Sequence, residues 1–197
     1  MITKLHNLLE HQPFWMESRG GLCCSISWDL RHPPLPSATC IFPHHRALGH
    51  EELSAHASQP PVTRLEIYCG IFAPAWPIQV LNQRGVTIRD ILEAVYSCLQ
   101  TKFTSEEFNS LCEKQKTRVM EVFNARVQNS PFPQETWEEG MKRVDCLLQH
   151  TCFAGLSIAL PLKTGRSGVT KDACIMSLRR PSSLQFAPAY PMPPALH

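Results

Sequence analysis

The sequence predicts an α+β fold, with a small antiparallel or mixed sheet of three to five strands and two main helices packed on one face. Two observations predict the helices. Apolar residues recur at helical spacing over 87–100 and over 104–128, and each range begins with a hydroxyl residue followed three positions later by a carboxylate. The third observation is that short strand-like runs lie on both sides of this region. Together these patterns predict helices that cover a sheet.

The helices are predicted from their first turns and their apolar faces. Thr87 and Asp90 have the spacing of a capping box, in which each side chain accepts a backbone N–H that the first turn leaves unpaired. Thr104 and Glu107 repeat the pattern at the second helix. The apolar face of the first helix consists of Ile88, Ile91, Leu92, Val95 and Leu99.

Strands are predicted where short apolar runs alternate with polar residues or end at turn residues. The strand-like or extended ranges are 22–30, 64–69, 76–81, 142–148, 153–158 and 173–178. Pro77 has no N–H to donate to a ladder, so either its strand lies at a sheet edge or the proline sits where its missing N–H faces away from the ladder. Trp28 and Trp76 fall on the apolar faces of their strands, and we expect both in the core.

Proline and histidine dominate two regions outside these elements. Residues 36–61 form a His/Pro-rich loop with few periodic apolar residues, expected to be disordered apart from a helical turn near 50–57. The end of the chain is also proline-rich and lacks periodicity. The predicted organisation is a single α+β domain over 1–180 and a disordered proline-rich tail over 181–197.

Composition narrows the classes of partner. A net charge of +2 and a pI near 8.1 argue against a nucleic-acid partner, which normally requires a concentrated basic face. No apolar run approaches the ~18 residues that span a bilayer, and the N-terminus lacks a secretory h-region. We therefore expect no membrane partner and an intracellular location, cytoplasm or nucleus, with the nine cysteines reduced.

Several short motifs, taken in order, resemble an uncharacterised domain family that is common in mushroom-forming basidiomycete fungi. The motifs are Trp28-Asp29-Leu30, Trp76-Pro77-Ile78, 86–92, 140–145 with Leu147-Leu148, and 153–156. The resemblance covers most of the chain. It implies a compact α+β domain of unknown function with no established activity, so it supplies no catalytic residues.

A candidate metal site lies in the His/Pro-rich loop. Imidazole and thiolate are the usual ligands of zinc, and three or four of them converging can hold a tetrahedral ion. The spacing matches no standard zinc finger, so a solvated polar loop is the favoured alternative. The candidate ligands are Cys40, His44, His45, His50 and His56.

A candidate ligand-binding set combines Arg143, Asp145 and Asp90. An arginine beside carboxylates in a pocket can bind an anion or act in acid–base catalysis. If residues 142–148 are extended, a period of two places Arg143 and Asp145 on one face, where they can cooperate. The alternative is structural, with Asp90 capping its helix and the other two pairing with neighbours.

No convergent catalytic set stands out, and we expect no cofactor. The leading hypothesis is a non-enzymatic intracellular protein-binding or scaffolding domain, which predicts an exposed apolar patch. The alternative is an enzyme or ligand-binding protein that uses the pocket near Arg143, and zinc binding by the histidines is weaker still. Trp15 and Trp137 lie in less periodic segments, where each can line a groove or cover the core.

Overall fold

The computed structural model describes residues 2–12, 24–41, 45–71, 76–159 and 172–181. Within them the predicted α+β class is confirmed. The strands are β1 Lys4–Leu5, β2 Ile26–Ser27, β3 Thr39–Cys40, β4 Arg46–Ala47, β5 Ser58–Gln59, β6 Arg64–Tyr68, β7 Ile78–Leu81, β8 Cys152–Ile158 and β9 Ala173–Arg179. The α-helices are α1 Pro34–Ser37, α2 His50–Ser54, α3 Ile88–Gln100, α4 Ser105–Asn109, α5 Glu113–Gln128 and α6 Pro133–Glu139. A 3-10 helix spans Arg143–Leu147.

The main sheet is mixed and has four strands in the order β7-β6-β9-β8. The strands β6 and β7 are antiparallel, β6 and β9 are parallel, and β8 and β9 are antiparallel. The predicted edge position of the strand after Pro77 is confirmed, since β7 has one neighbour in this sheet. The predicted last strand is confirmed as β9, which lies between β6 and β8.

The segment predicted to be a disordered loop, 36–61, is largely ordered in its described residues. It contributes β3 and β4 to a three-stranded sheet with β2, and β5 to a two-stranded sheet with β1. The expected helical turn is present as α2. Leu53 and Ala57 supply buried apolar side chains from this segment, so it does take part in the core despite its weak periodicity.

Helix α3 covers the sheet, where it contacts β7. Its predicted capping box is present, with Thr87 accepting from the N–H of Asp90 and Asp90 accepting from the N–H of Thr87. The five apolar residues predicted to share a face are all buried. The first helix therefore follows from the sequence at both levels, local capping and apolar periodicity.

The second predicted helix, 104–128, is divided into α4 and α5 by a short break. Leu111 is buried in the break, and Gln115 accepts the N–H of Cys112 to start α5. The side chain of Gln115 thus satisfies an N–H at a new helix start inside the predicted range. Helix α5 then packs on α6 and the 3-10 helix.

The extended segment predicted over 142–148 is wrong, because most of it forms the 3-10 helix. Asp145 accepts the backbone N–H of Lys142 at 2.9 Å, as in a capping box. This bond stabilises a turn and competes with an extended conformation. Arg143 and Asp145 are therefore separated by helical rather than strand geometry.

The core joins the sheet, α3 and the small sheets. Trp28 and Trp76 are both buried, as predicted, and the rings of Trp28 and Phe153 lie 6.1 Å apart. Among the described helices, none is long and apolar enough to cross a bilayer. The cysteines of the described residues are free thiols. Trp15 and the predicted tail after Pro181 lie outside the described residues.

Candidate functional site

The carboxylate of Asp145 is occupied by partners inside the fold. Its oxygens accept Nε and Nη2 of Arg126 at 2.8 and 2.9 Å, and it also caps the N–H of Lys142. The residue is only 1% exposed. Arg126 donates a further bond to the carbonyl of Gly140 at 3.0 Å. This geometry is a bidentate ion pair that joins α5 to the 3-10 helix.

Arg143 is paired with α4 rather than with Asp145. Its Nη2 donates to Glu107 at 2.7 Å, and its guanidinium lies 4.6 Å from the ring centroid of Trp76. Burial alone would lower the pKa of Arg143, but the hydrogen bonds with Glu107 and Cys98 and the charge of Glu107 together outweigh it, and the pKa is raised. The pKa of Glu107 is lowered, although its burial acts in the opposite direction, because it accepts from Thr104 and Arg143. The pair is thus held in its charged form.

Asp90 is also engaged locally. Its Oδ2 accepts from the N–H and hydroxyl of Thr87 and from Nδ2 of Asn82, at 2.7 to 2.8 Å. Burial opposes ionisation, yet the bonds from Asn82 and Thr87 lower the pKa of Asp90. Asp90, Glu107 and Asp145 all occupy the third helical position and accept the N–H of the cap residue. The structure therefore gives each predicted ligand-binding residue its own partners, and binding by them stays a prediction.

The candidate metal ligands are spread over several elements. Cys40 is buried in β3, and His45 is exposed just before β4 with its Nδ1 3.4 Å from the hydroxyl of Thr39. His50 begins α2, where its ring contacts Ser54. His44 lies outside the described residues.

The ring of His56 packs beside Gly85. A Cβ at Gly85 would lie 2.7 Å from that ring, so the close contact depends on a residue without a side chain. No group of three or more His, Cys, Asp or Glu residues suited to a metal occurs in the described part of the chain. Zinc binding by the histidine loop stays a prediction.

The most exposed aromatic side chains of the described residues lie at the ends of one short helix. Phe132 precedes α6 and is 62% exposed, and Trp137 in the last turn is 54% exposed. Pro133 starts the helix with a fixed φ and no N–H to leave unpaired. The hydroxyl of Thr136 donates to the hydroxyl of Ser130 at 2.6 Å and so stabilises the turn before α6. We call Phe132, Trp137 and the exposed polar residues of α6 the α6 surface.

The indole of Trp137 packs against the buried ring of Phe123. Its ring centroid lies 5.4 Å from that of Phe123, which is buried in α5, and the guanidinium of Arg126 lies 5.3 Å from the same phenyl ring. One side of the indole therefore covers the core edge. The rest of the residue, 54% of its surface, is exposed to solvent.

The charges of the α6 surface are acidic. Glu135 and Glu138 are exposed, and neither forms an ion pair within the described residues. Among the described residues, the side chain of Glu138 accepts from the neutral amide of Gln134, at 2.8 Å. Glu139 is paired with Lys142 at 2.7 Å, and this bond holds the pKa of Glu139 below its usual range. The α6 surface thus combines two aromatic rings with uncompensated negative charge.

Sequence reasoning singled out Trp137 but not Phe132. For Trp137 the signal of exposure is composition, because 133–139 contains one large apolar residue and so has no apolar face of its own. A helix without an apolar face cannot bury its tryptophan through periodicity. An isolated aromatic in such a segment is therefore a candidate for exposure.

The fold places the chain among small α+β domains, and comparison with known families gives its membership. Residues 26–168 match a family described as a family of unknown function (DUF6699), and the chain belongs to this family. No curated protein and no solved structure matches the chain. The predicted membership of an uncharacterised domain family is therefore confirmed, and the family itself supplies no activity.

Proposed function

We propose that the protein is a non-enzymatic intracellular protein-binding domain, and that its α6 surface binds a basic segment of a partner through Phe132 and Trp137. The observation that carries this proposal is the exposure of both rings, 62% and 54%, at the ends of one helix. The free thiols of the described residues suit a reducing compartment. The resemblance to a family of mushroom-forming fungi makes a fungal partner part of the same proposal.

Aromatic residues suit this role for an energetic reason. Tryptophan is enriched among the residues that dominate binding energy, because it buries a large area and loses few rotamers. Trp137 is already fixed against Phe123, so its ordering cost on binding is small. Phe132 at the start of α6 offers a second anchor on the same rigid element.

The charge of the surface selects the partner. Glu135 and Glu138 lack ion pairs within the described residues, and lysine or arginine side chains of a partner would complement them. The partner segment is therefore one that presents an apolar residue next to positive charge. Acidic segments would be repelled by the same two carboxylates.

A titration of labelled peptides tests the proposal. Short fluorescein-labelled peptides that combine a leucine, phenylalanine or methionine anchor with lysine or arginine are compared with acidic counterparts by fluorescence anisotropy. We expect saturable binding of basic peptides and weakening by about tenfold or more in Phe132→Ser, the loss typical of a dominant anchor. In a separate variant, Glu138→Lys should also weaken the binding of basic peptides, most strongly at low salt.

The matched control is Leu81→Ser on β7. Leu81 is 64% exposed, close to the value for Phe132, and lies on a different element. The proposal is contradicted if no basic peptide binds more tightly than about 1 mM, or if Leu81→Ser weakens binding as much as Phe132→Ser. Trp137→Ala uncovers Phe123, so its binding is compared only after urea unfolding has established that it folds.

A further inference from the structure

A cleft lies between α5, the segment 148–151 and the end of β9. It consists of two adjoining cavities of about 230 and 340 Å³, which share Leu148, Gln149 and Arg180 in their walls. Together they approach the size of pockets that hold small molecules. The cleft is separate from the α6 surface and from the residues that cap the helices.

Arginines reach the cleft from three elements. Arg118 comes from α5, Arg180 follows β9 and Arg31 follows β2. Neither Arg118 nor Arg180 forms an ion pair in the described part of the chain. Arg31 pairs with Asp29 through Nε and Nη2, which leaves Nη1 with no partner among the described residues.

The wall of the larger cavity covers a hydroxyl that is buried behind the cavity surface. Thr151 is only 5% exposed, and its Oγ1 has no hydrogen-bond partner of ordinary geometry among the described residues. The hydroxyl does lie near the thiol of Cys152, where burial raises the pKa of the thiol and Thr151 opposes the rise. A buried polar group without a full partner costs about 1–3 kcal/mol, so its retention here calls for a reason.

The backbone beside this hydroxyl is strained. Leu148 has a φ of +54°, and it is the one non-glycine residue with positive φ in the described ranges. It ends the 3-10 helix and lies in the walls of both cavities. Strain of this kind costs about 1–3 kcal/mol and concentrates at ligand-binding and active sites. The strain therefore marks the same place as the unsatisfied hydroxyl.

We propose that this cleft binds a small phosphate ester, with the phosphate held by Arg180, Arg31 and the hydroxyl of Thr151. The planar guanidinium matches the geometry of phosphate oxygens, and Arg31 and Arg180 line the same cavity as Thr151. Oγ1 itself is buried, so it reaches the phosphate by rotation of the Thr151 side chain toward the cavity, where the phosphate supplies the acceptor that Oγ1 lacks. No covalent step is involved.

The smaller cavity specifies the rest of the ligand. It is lined by Arg118, His150 and Glu121, and an ionised carboxylate accepts hydrogen bonds but donates none. Glu121 therefore favours a ligand portion that carries hydroxyl groups. It also limits the net positive charge of the cleft, which suits a compact ester better than a polyanion such as nucleic acid.

Titration of the full chain with three probes tests the site. The probes are inorganic phosphate, glycerol 3-phosphate and uncharged glycerol, and the readouts are calorimetry and the backbone amide NMR shifts of 148–151. We expect saturable binding of phosphate, tighter binding of glycerol 3-phosphate, and none of glycerol. Shifts should concentrate at His150 and Thr151.

Three substitutions separate the site from general charge attraction. Arg180→Gln should weaken glycerol 3-phosphate binding by about tenfold, the loss of one charged hydrogen-bonding partner. Thr151→Val keeps the net charge and should weaken it several-fold. The control is Arg84→Gln, which removes an exposed arginine from the turn before α3 and should leave binding unchanged.

Two results would overturn the proposal. One is the absence of saturable binding by phosphate and glycerol 3-phosphate, with shifts that change linearly across the surface. The other is equal weakening by Arg84→Gln and Arg180→Gln, because that pattern reports net charge rather than a site. The variants Phe132→Ser and Leu81→Ser should bind glycerol 3-phosphate as the natural chain does, so this test is independent of the α6 surface.

Discussion

Residues 143–147 and 148–151 follow one another in the chain, but they differ in their ion pairs, although each contains one buried polar atom, Nε of Arg143 or Oγ1 of Thr151, without an ordinary hydrogen-bond partner among the described residues. In the first segment, Asp145 and Arg143 each have a carboxylate or guanidinium partner within 2.9 Å. In the second, the hydroxyl of Thr151 has no partner of ordinary geometry, and the neighbouring Arg180 has no ion pair in the described residues. The backbone also changes at Leu148, from 3-10 geometry to a strained φ.

This contrast separates two uses of charge. Arg126 and Asp145 complete each other inside the fold, so their free energy stabilises the packing of α5 on the 3-10 helix. Arg118 and Arg180 of the cleft have no ion pair among the described residues, so under our proposal they are available to a ligand. A cluster of charged side chains is thus by itself a poor guide to a functional site, since structural ion pairs also bring charged groups together.

The largest expected effect is that of Asp145→Asn. The substitution removes the negative charge and one of the two oxygens that accept from Arg126, and places an amide N–H₂ near donors, so we expect the free energy of unfolding to fall by about 3 kcal/mol. Arg126 is 25% exposed and can regain some water, which keeps the loss at the lower end for a buried pair. Urea unfolding near pH 7 measures it.

The control for this variant is Glu138→Gln on exposed α6, expected to change stability by no more than about 0.5 kcal/mol. The folded Asp145→Asn protein should retain glycerol 3-phosphate binding. A stability loss below about 1 kcal/mol would contradict the structural role of the pair. A loss of glycerol 3-phosphate binding without a loss of stability would make Asp145 a ligand-binding residue and remove the contrast between the two segments.

The next effect is that of Asp90→Ala at the start of α3. The alanine leaves the N–H of Thr87 and the amide of Asn82 without their acceptor, so we expect a loss of about 2 kcal/mol. Glu93→Ala, exposed on the same helix, is the matched control and should be nearly neutral. Thermal unfolding monitored by circular dichroism compares the two, and similar midpoints would contradict the capping role.

Capping could be predicted from sequence because it is local. Thr87 and Asp90 are three residues apart, and nothing distant is needed to bring them together. The same rule applies at Lys142 and Asp145, but there the sequence predicts an extended segment over 142–148. The capping geometry decides the local structure here. The signal in the sequence is Asp145, an acidic residue three positions after Lys142, which favours a helical turn.

The charged pairs and the cleft could not be predicted in this way. Arg126 and Asp145 are 19 residues apart, and they meet because α5 packs on the 3-10 helix. Arg180 joins Arg31 because β9 inserts between β6 and β8. Such neighbourhoods depend on strand order, which the periodicity of single segments does not encode.

A smaller effect concerns pH. The pKa of Glu107 is lowered in the folded state, with burial opposing and bonds from Thr104 and Arg143 prevailing. A depressed carboxyl pKa adds stability that is present above the unfolded value, near 4.5, and is lost as pH falls through the folded pKa. Glu107→Gln should cost about 1 kcal/mol near pH 7 and flatten the acid limb of the stability profile.

Thermal unfolding between neutral and acid pH measures this change against Glu106→Gln, the adjacent exposed carboxylate. Other carboxyls with lowered pKa, such as Asp29 and Asp90, keep part of the acid sensitivity in every variant. If Glu107→Gln and the natural chain lose stability in parallel below pH 4.5, the ion pair with Arg143 does not stabilise the charged form of Glu107. Arg143 would then no longer count as a residue whose charge stabilises the fold.

The smallest expected effect completes the contrast. Arg180→Gln removes a charge that has no ion pair among the described residues, so the free energy of unfolding should change by no more than about 0.5 kcal/mol. Arg143→Gln is the matched substitution in 143–147. It should lower the free energy of unfolding by more, because Glu107 and Trp76 lose the contact with the guanidinium. A loss above about 1 kcal/mol for Arg180→Gln would make this arginine structural. A neutral Arg180→Gln with weakened phosphate binding is the pattern that only a ligand site explains.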